Sequence, residues 1–301
     1  MVRAFVRLGY KGRVRPSTHP SANAAEQNAT RANRPRQTPY WELPSVVSLD
    51  APLIAVVWQL LLSRSLGATL AWPHSALLGV AVWLIYSADR WLDGLELGEH
   101  ARTERHRFYV RHRRAVLGVW SGVSVGALGG GFIVLTRPEL FAAGLLASLM
   151  LGYFLSRHAS DPAAHPKETQ IGLFFALGVA FLPGLNGAPL IPLATFAVLF
   201  AVLIFLNCAL IARWEGDLDH EPVPFAARTP YVAAQLGGMT LGLAGCGLGV
   251  GSTTHSPLFF ALGGSALLLY GCGYLGALGP AARRVLADAA LLTPLLALPF
   301  S

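Results

Sequence analysis

Charge is what this chain has least of. Only 13% of its 301 residues are Asp, Glu, Lys or Arg, about half the share found in soluble domains. Hydrophobic residues make up 53%, and the mean hydropathy is +0.50. This balance excludes an ordinary soluble domain and points to an all-α integral membrane protein. Cysteine is scarce too. Cys208, Cys246 and Cys272 fall inside separate apolar runs, which excludes a disulfide framework and a cysteine-based metal site. No apolar core of signal-peptide length precedes Trp41, so no cleaved signal is expected. No inverted repeat of the transporter kind is visible either.

What the chain does have is a series of apolar stretches of spanning length, divided by short breaks. Nine transmembrane helices are expected, near 45–66, 72–92, 114–135, 138–157, 168–186, 190–212, 230–250, 256–278 and 284–300. Residues 1–43 form a separate arm, rich in Arg, Ser, Asn, Pro and Ala, and read as disordered; residues 44–301 form the polytopic domain. Gly126, Gly129, Gly130, Gly237, Gly238 and Gly242 are expected to let helices approach closely.

The net charge of +7 is distributed by topology. Nearly all Lys and Arg lie in the arm and in the connections after spans two, four, six and eight. The opposite connections hold little more than Arg137. The basic side faces the cytoplasm by the positive-inside rule. The N-terminus is then cytoplasmic, in a plasma (bacterial inner) membrane, and membrane lipids, with no nucleic acid, are the expected surroundings.

Acidic residues follow the same asymmetry. Span two ends in Tyr86-Ser-Ala-Asp89-Arg90-Trp91-Leu92-Asp93. Asp89 and Asp93 are four apart and share one helix face. Each carboxylate costs roughly 2.5–3.5 kcal/mol at membrane depth on insertion scales, so a counter-charge is expected. Span six ends in Arg213-Trp214-Glu215-Gly216-Asp217-Leu218-Asp219, on the same cytoplasmic side. Two facing acidic clusters suit Mg²⁺ ions that share a ligand's phosphate oxygens. A cavity open to lipid suits an isoprenoid chain carrying a diphosphate. Asp89, Asp93, Glu215, Asp217 and Asp219 are then the expected metal ligands. Lys167, Arg90, Arg213, Arg102 and Arg107 are expected to meet the diphosphate. Asp50, Tyr86, Tyr153 and Asn207, polar groups at or within apolar runs, are candidates for the substrate pocket. For the two tyrosines, an interfacial aromatic belt explains the same positions.

These residues resemble the UbiA superfamily of intramembrane prenyltransferases over roughly 45–300. Asp89-Arg90-Trp91-Leu92-Asp93 is similar to the D-R-x-x-D ending of the family's first motif. Glu215-Gly216-Asp217 is similar to the E-G-D of its second, and Leu49-Asp50-Ala51-Pro52 to an L-D-x-P element. Lys167 falls where the family commonly carries a lysine before span five. Ile85-Tyr86 replaces the Asn-Asp that opens the first motif, and Arg213 replaces the leading aspartate of the second. The resemblance implies a UbiA-like bundle and Mg²⁺-dependent transfer of a prenyl group from an isoprenyl diphosphate to an aromatic or other lipid-soluble acceptor. Asp89, Asp93 and Lys167 would carry the catalysis. Cyclisation of the prenyl chain on the same scaffold, or a non-catalytic lipid carrier, are the alternatives.

Overall fold

Proline and glycine decide where these apolar runs become helices. The computed structural model describes residues 39–97, 104–159, 167–219 and 230–301. Within its helices, the side chains of 93–97, 104–107, 154–159, 215–219 and 230–233 lie outside that description. Residues 39–301 form one unit. Most of the expected arm, Arg102, and the side chains of Asp93, Arg107, Glu215, Asp217 and Asp219 therefore lie outside the described residues.

After a 3-10 turn at Tyr40–Glu42 come α1 (Leu43–Val46), α2 (Asp50–Leu66), α3 (Trp72–Leu97), α4 (Glu104–Arg111), α5 (Arg113–Val134) and α6 (Arg137–Ala159). They are followed by α7 (Lys167–Leu185), α8 (Leu190–Asp219), α9 (Pro230–Thr254), α10 (Pro257–Cys272), α11 (Pro280–Ala290) and α12 (Pro294–Ala297), with a last 3-10 turn at Leu298–Phe300. Among the described residues there is no strand. Proline opens α9, α10, α11 and α12, where its missing N–H would have had no partner in any case. Gly67 closes α2 in the left-handed region, at φ +72°. Its N–H reaches the Arg64 carbonyl while Ala68 N–H reaches that of Ser63, the paired bonds of a Schellman end.

Helix occupies all or part of every expected stretch, but three of the stretches are not single helices. Residues 45–66 bend by 77° between Tyr40–Val46 and Asp50–Leu66. The hinge residue Ser48 is fully buried at φ +60°, a costly conformation for a residue with a Cβ. Two distant side chains hold it. Tyr109 on α4 donates its hydroxyl to Ser48 Oγ at 2.9 Å, and Trp83 on α3 donates to the Val47 carbonyl at 3.1 Å. The stretch 256–278 stops as a helix at Cys272, where Gly271, Gly273 and Gly276 weaken helix continuation. The stretch 284–300 is α11, a break, α12 and a turn. Pro294 and Pro299 each remove a backbone donor. In the break, Thr293 Oγ1 instead bonds the Ala261 carbonyl at 2.8 Å and Ser265 Oγ at 2.6 Å. By length and composition, three described helices can cross a membrane: Arg113–Val134, Lys167–Leu185 and Leu190–Trp214. The number rises to four if the bent pair at Tyr40–Leu66 counts as one.

The core lies among α2, α7, α8, α9, α10 and α11. Trp58 is fully buried, with its ring 4.8 Å from that of Phe200, and its indole N–H donates to the Leu291 carbonyl at 2.8 Å. That bond ties α2 to the chain just beyond α11. On α5 and α6, Val125, Ile133 and Phe141 are more than half exposed, apolar side chains of the kind that face lipid.

The close helix crossings are not where the glycine-rich stretches suggest. At Gly126, Gly129, Gly238 and Gly242 an added Cβ would meet nothing within 4 Å, while at Gly130 and Gly237 it would make ordinary contact. The tight crossings are at Gly172, where α7 lies against Ala201 of α8, and at Gly247 and Gly263, where α9 meets α10 backbone to backbone.

At the ends of α3 and α7 remote from Asp89 and Lys167, Glu139 is buried, 3% exposed. It accepts bonds from Thr136 N, Thr136 Oγ1 and Asn186 Nδ2 at 2.7, 2.8 and 2.7 Å. Its other neighbour is His74, whose Nε2 lies 3.6 Å away. This polar knot clips α3, the α5–α6 turn and the end of α7 together.

Candidate active site

A cavity of about 720 Å³ runs between α2, α3, α5, α6, α7 and α8, with Asp288 of α11 also in its wall. Most of its wall is apolar, from residues such as Leu77, Leu128, Met150 and Phe174. Ligand cavities are typically of this size and character, with a few convergent polar groups. Here the polar groups are Asp50, Tyr86, Asp89, Tyr153, Asn207, Cys208 and Asp288, with Ser124 and the indole of Trp120 in the wall between.

Each polar residue is placed by its helix. Asp50 is the first residue of α2, directly after the Ser48 hinge, and its Oδ1 accepts the Ala51 N–H at 2.9 Å. Carboxylates are favoured at that end of a helix by its dipole. Tyr86 and Asp89 are three apart on α3 and so share a face. Asn207 and Cys208 belong to α8, and Asp288 to α11. Trp120 is held by donation to the Leu84 carbonyl at 2.9 Å.

The decisive contact is an ion pair. Lys167 Nζ, on the first residue of α7, lies 3.0 Å from Asp89 Oδ2, with the two side chains 26% and 18% exposed. Residues 78 positions apart in sequence thus place a cation and a carboxylate together at the rim of the cavity. Past this point α3 continues to Leu97 and α8 continues beyond Cys208 to Asp219, carrying the two acidic motifs onward.

Arg90 does not line the cavity. It is buried, at 7% exposed, and its Nη2 donates to the Tyr86 hydroxyl at 2.6 Å with the guanidinium 4.6 Å from the Tyr86 ring centre. It therefore orients Tyr86 from behind the wall, and direct contact with a ligand in the cavity passes to Tyr86. Arg213 is half-buried on α8, also outside the cavity wall. Asp50, Tyr86, Tyr153 and Asn207 all border the one cavity, and Tyr153 packs against Phe174 at 5.7 Å.

Among the described residues no three His, Cys, Asp or Glu side chains form a group able to hold a metal ion. Of the five expected ligands, Asp89 alone has a described side chain, and Lys167 engages it.

Asp288 and Arg284 escape a reading by apolar runs. Both sit on α11, one turn apart, and Arg284 is buried at 4% exposed. Asp288 borders the cavity together with Asp50. The available signal was their i, i+4 spacing inside an apolar stretch, where a charged pair stands out. The chain matches no protein-family model, no curated protein and no solved structure.

Proposed function

We propose that the chain is a nine-crossing, UbiA-like intramembrane prenyltransferase with its charged end toward the cytoplasm. It would transfer a prenyl group from an isoprenyl diphosphate to a lipid-soluble acceptor. One observation carries this reading: a long apolar cavity ending at the Asp89–Lys167 ion pair. The apolar length suits a prenyl chain, and the ammonium suits the leaving diphosphate.

In transfer, the bond between the prenyl C1 and the diphosphate oxygen breaks, and the electron pair leaves with the diphosphate. The acceptor attacks C1, and the proton it loses passes to the released diphosphate. Lys167 stabilises the charge that develops on the departing oxygen, an effect that is large where water is excluded. Asp89 keeps that ammonium at the rim. Tyr86, fixed by Arg90, lines the space where C1 would lie. The aliphatic and aromatic wall keeps water from C1.

Mg²⁺ held by Asp89, Asp93, Glu215, Asp217 and Asp219 would supply further positive charge to the diphosphate. The donor chemistry fits, since all five are carboxylates and Mg²⁺ takes oxygen ligands.

The experiment is release of inorganic diphosphate by the full chain in lipid nanodiscs, supplied with geranylgeranyl diphosphate and a panel of phenolic acceptors. Release that requires both Mg²⁺ and an acceptor is expected. Tight binding of the diphosphate without any release sinks the transferase in favour of a carrier. Release without an acceptor favours cyclisation.

A further inference from the structure

The corner between α4 and α5 carries charge that the cavity does not use. Between 102 and 114 the chain holds six arginines and a single carboxylate, Glu104. Arg111 ends α4, and Arg113 and Arg114 open α5. All three are exposed, none borders the cavity, and no ion pair among the described residues engages them. Two arginines in the first turn of α5 stand against its dipole, which favours anions there. Three neighbouring cations also repel one another. Such a cluster is at ease only beside negative charge.

Its depth identifies where that charge comes from. Arg113 is the first residue of a helix long and apolar enough to cross a membrane, Arg113–Val134, which sets the arginines at the level of the lipid headgroups. Arg114, Gly118, Ser121 and Val125 share one face of α5. All four are exposed, Val125 at 71%. A Cβ added at Gly118 would meet nothing within 4 Å, so protein leaves this face open below the arginines.

The same corner is tied to the site. α4 packs against α1 and α3, and Tyr109, 2% exposed, donates its hydroxyl to Ser48 Oγ at 2.9 Å. Ser48 needs such support to hold φ +60°, and Asp50, two residues on, borders the cavity. We infer that Arg111, Arg113 and Arg114 bind the headgroup phosphate of an anionic phospholipid, whose acyl chain lies along the Arg114–Val125 face, and that this lipid steadies the Ser48 hinge through α4. Basic clusters at the end of a membrane helix recognise anionic lipid in this way. A phospholipid supplies both the phosphate and the chain, whereas a soluble anion supplies only the first. The inference rests on α5 crossing the membrane, and not on the transferase reading.

The test uses the full chain in nanodiscs with photoactivatable phosphatidylglycerol or phosphatidylcholine, each carrying its reactive group in the acyl chain. Mass spectrometry locates the label. Labelling of 117–125 is expected to be roughly fivefold stronger with phosphatidylglycerol, the scale of one arginine at an anionic surface. Replacing Arg111, Arg113 and Arg114 together with Gln is expected to bring the two lipids level, while Arg137→Gln, at the far end of the α5–α6 pair, leaves the preference intact. Equal labelling of the wild type overturns the site, as does an undiminished preference in the folded triple variant. Loss of labelling on adding inorganic phosphate overturns it in favour of a soluble anion. If the triple variant does not fold, Arg114→Gln alone decides by the same ratio. Hydrogen exchange reads the hinge: the amides of Val47, Ser48 and Leu49 are expected to exchange more slowly with phosphatidylglycerol than with phosphatidylcholine alone. Tyr109→Phe should remove that difference and keep the labelling preference. Equal exchange in the wild type overturns the link to the hinge.

Discussion

On the transferase reading, Lys167→Met is expected to lower kcat/KM for the prenyl diphosphate by roughly 10²- to 10³-fold, the usual effect of removing one preorganised charge stabiliser at a leaving oxygen. The reason lies in the 3.0 Å contact with Asp89 at the mouth of the cavity. With the side chains only 26% and 18% exposed, removing Lys167 leaves Asp89 poorly compensated, so some loss of stability is expected beside the loss of activity, and the two are read apart. The melting temperature and the activity therefore separate a catalytic role from a structural one. Asp89→Asn should lose activity to a similar degree. The double variant should be little worse than either single one, since the two residues act as a unit. A Lys167→Met protein with unchanged kcat/KM would remove Lys167 from the mechanism.

Gly172→Val should destabilise the bundle by about 3 kcal/mol or more, at the upper end for overpacked sites. A Cβ at Gly172 would sit 2.6 Å from the Ala201 carbonyl oxygen and 3.2 Å from Phe205 N. Both are backbone atoms of α8, so no side chain can swing aside and the helices must part. Because Lys167 stands five residues earlier on α7, parting these helices also shifts the ion pair, and activity should fall with stability. Gly126→Ala is the control. Its Cβ meets nothing within 4 Å, and replacing a helical glycine with alanine gains up to about 1 kcal/mol. Denaturation of the two variants in the same detergent compares them directly, and equal stability would contradict the crossing.

That contrast shows what the chain discloses in one dimension and what it withholds. Glycine content marks membrane helices that can pack closely, but which glycine faces a neighbour depends on helix rotation. Gly126 and Gly172 look alike in sequence. Polar residues within apolar runs were more informative, because each must find a partner or a cavity. Asp50, Tyr86, Tyr153 and Asn207 stand out on that ground, and all four border the same space. Arg284 and Asp288 obey the same rule, yet they lie in a stretch whose apolar average suggests one plain span. Pro294 and Pro299 break that stretch, and the break puts α11 beside the cavity. The bend at Ser48 was not legible, since nothing near it in sequence marks a left-handed residue. It is held by Trp83 and Tyr109, which lie 36 and 61 residues from their bonded partners. The bend matters to the site because it makes Asp50 the first residue of a new helix rather than a point along an older one.

The pairing of Asp89 with Lys167 also sharpens the role of the first acidic motif. A carboxylate at membrane depth needs a counter-charge, and here a lysine from another helix supplies it. If a metal enters, it must share Asp89 with that ammonium. Arg90, by contrast, is directed at Tyr86 and prepares the wall.

The central claim is that a prenyl diphosphate lies along this cavity with its phosphates at the Asp89–Lys167 end. Electron cryomicroscopy of the full chain in nanodiscs, with Mg²⁺ and an unreactive thio-diphosphate analogue of geranylgeranyl diphosphate, tests it most directly. The account predicts phosphate density beside Lys167 and chain density running past Trp120 and Ser124 toward Leu135 and Leu140. A cavity without the chain, or a chain lying in reverse with its phosphates near Glu139, would contradict it.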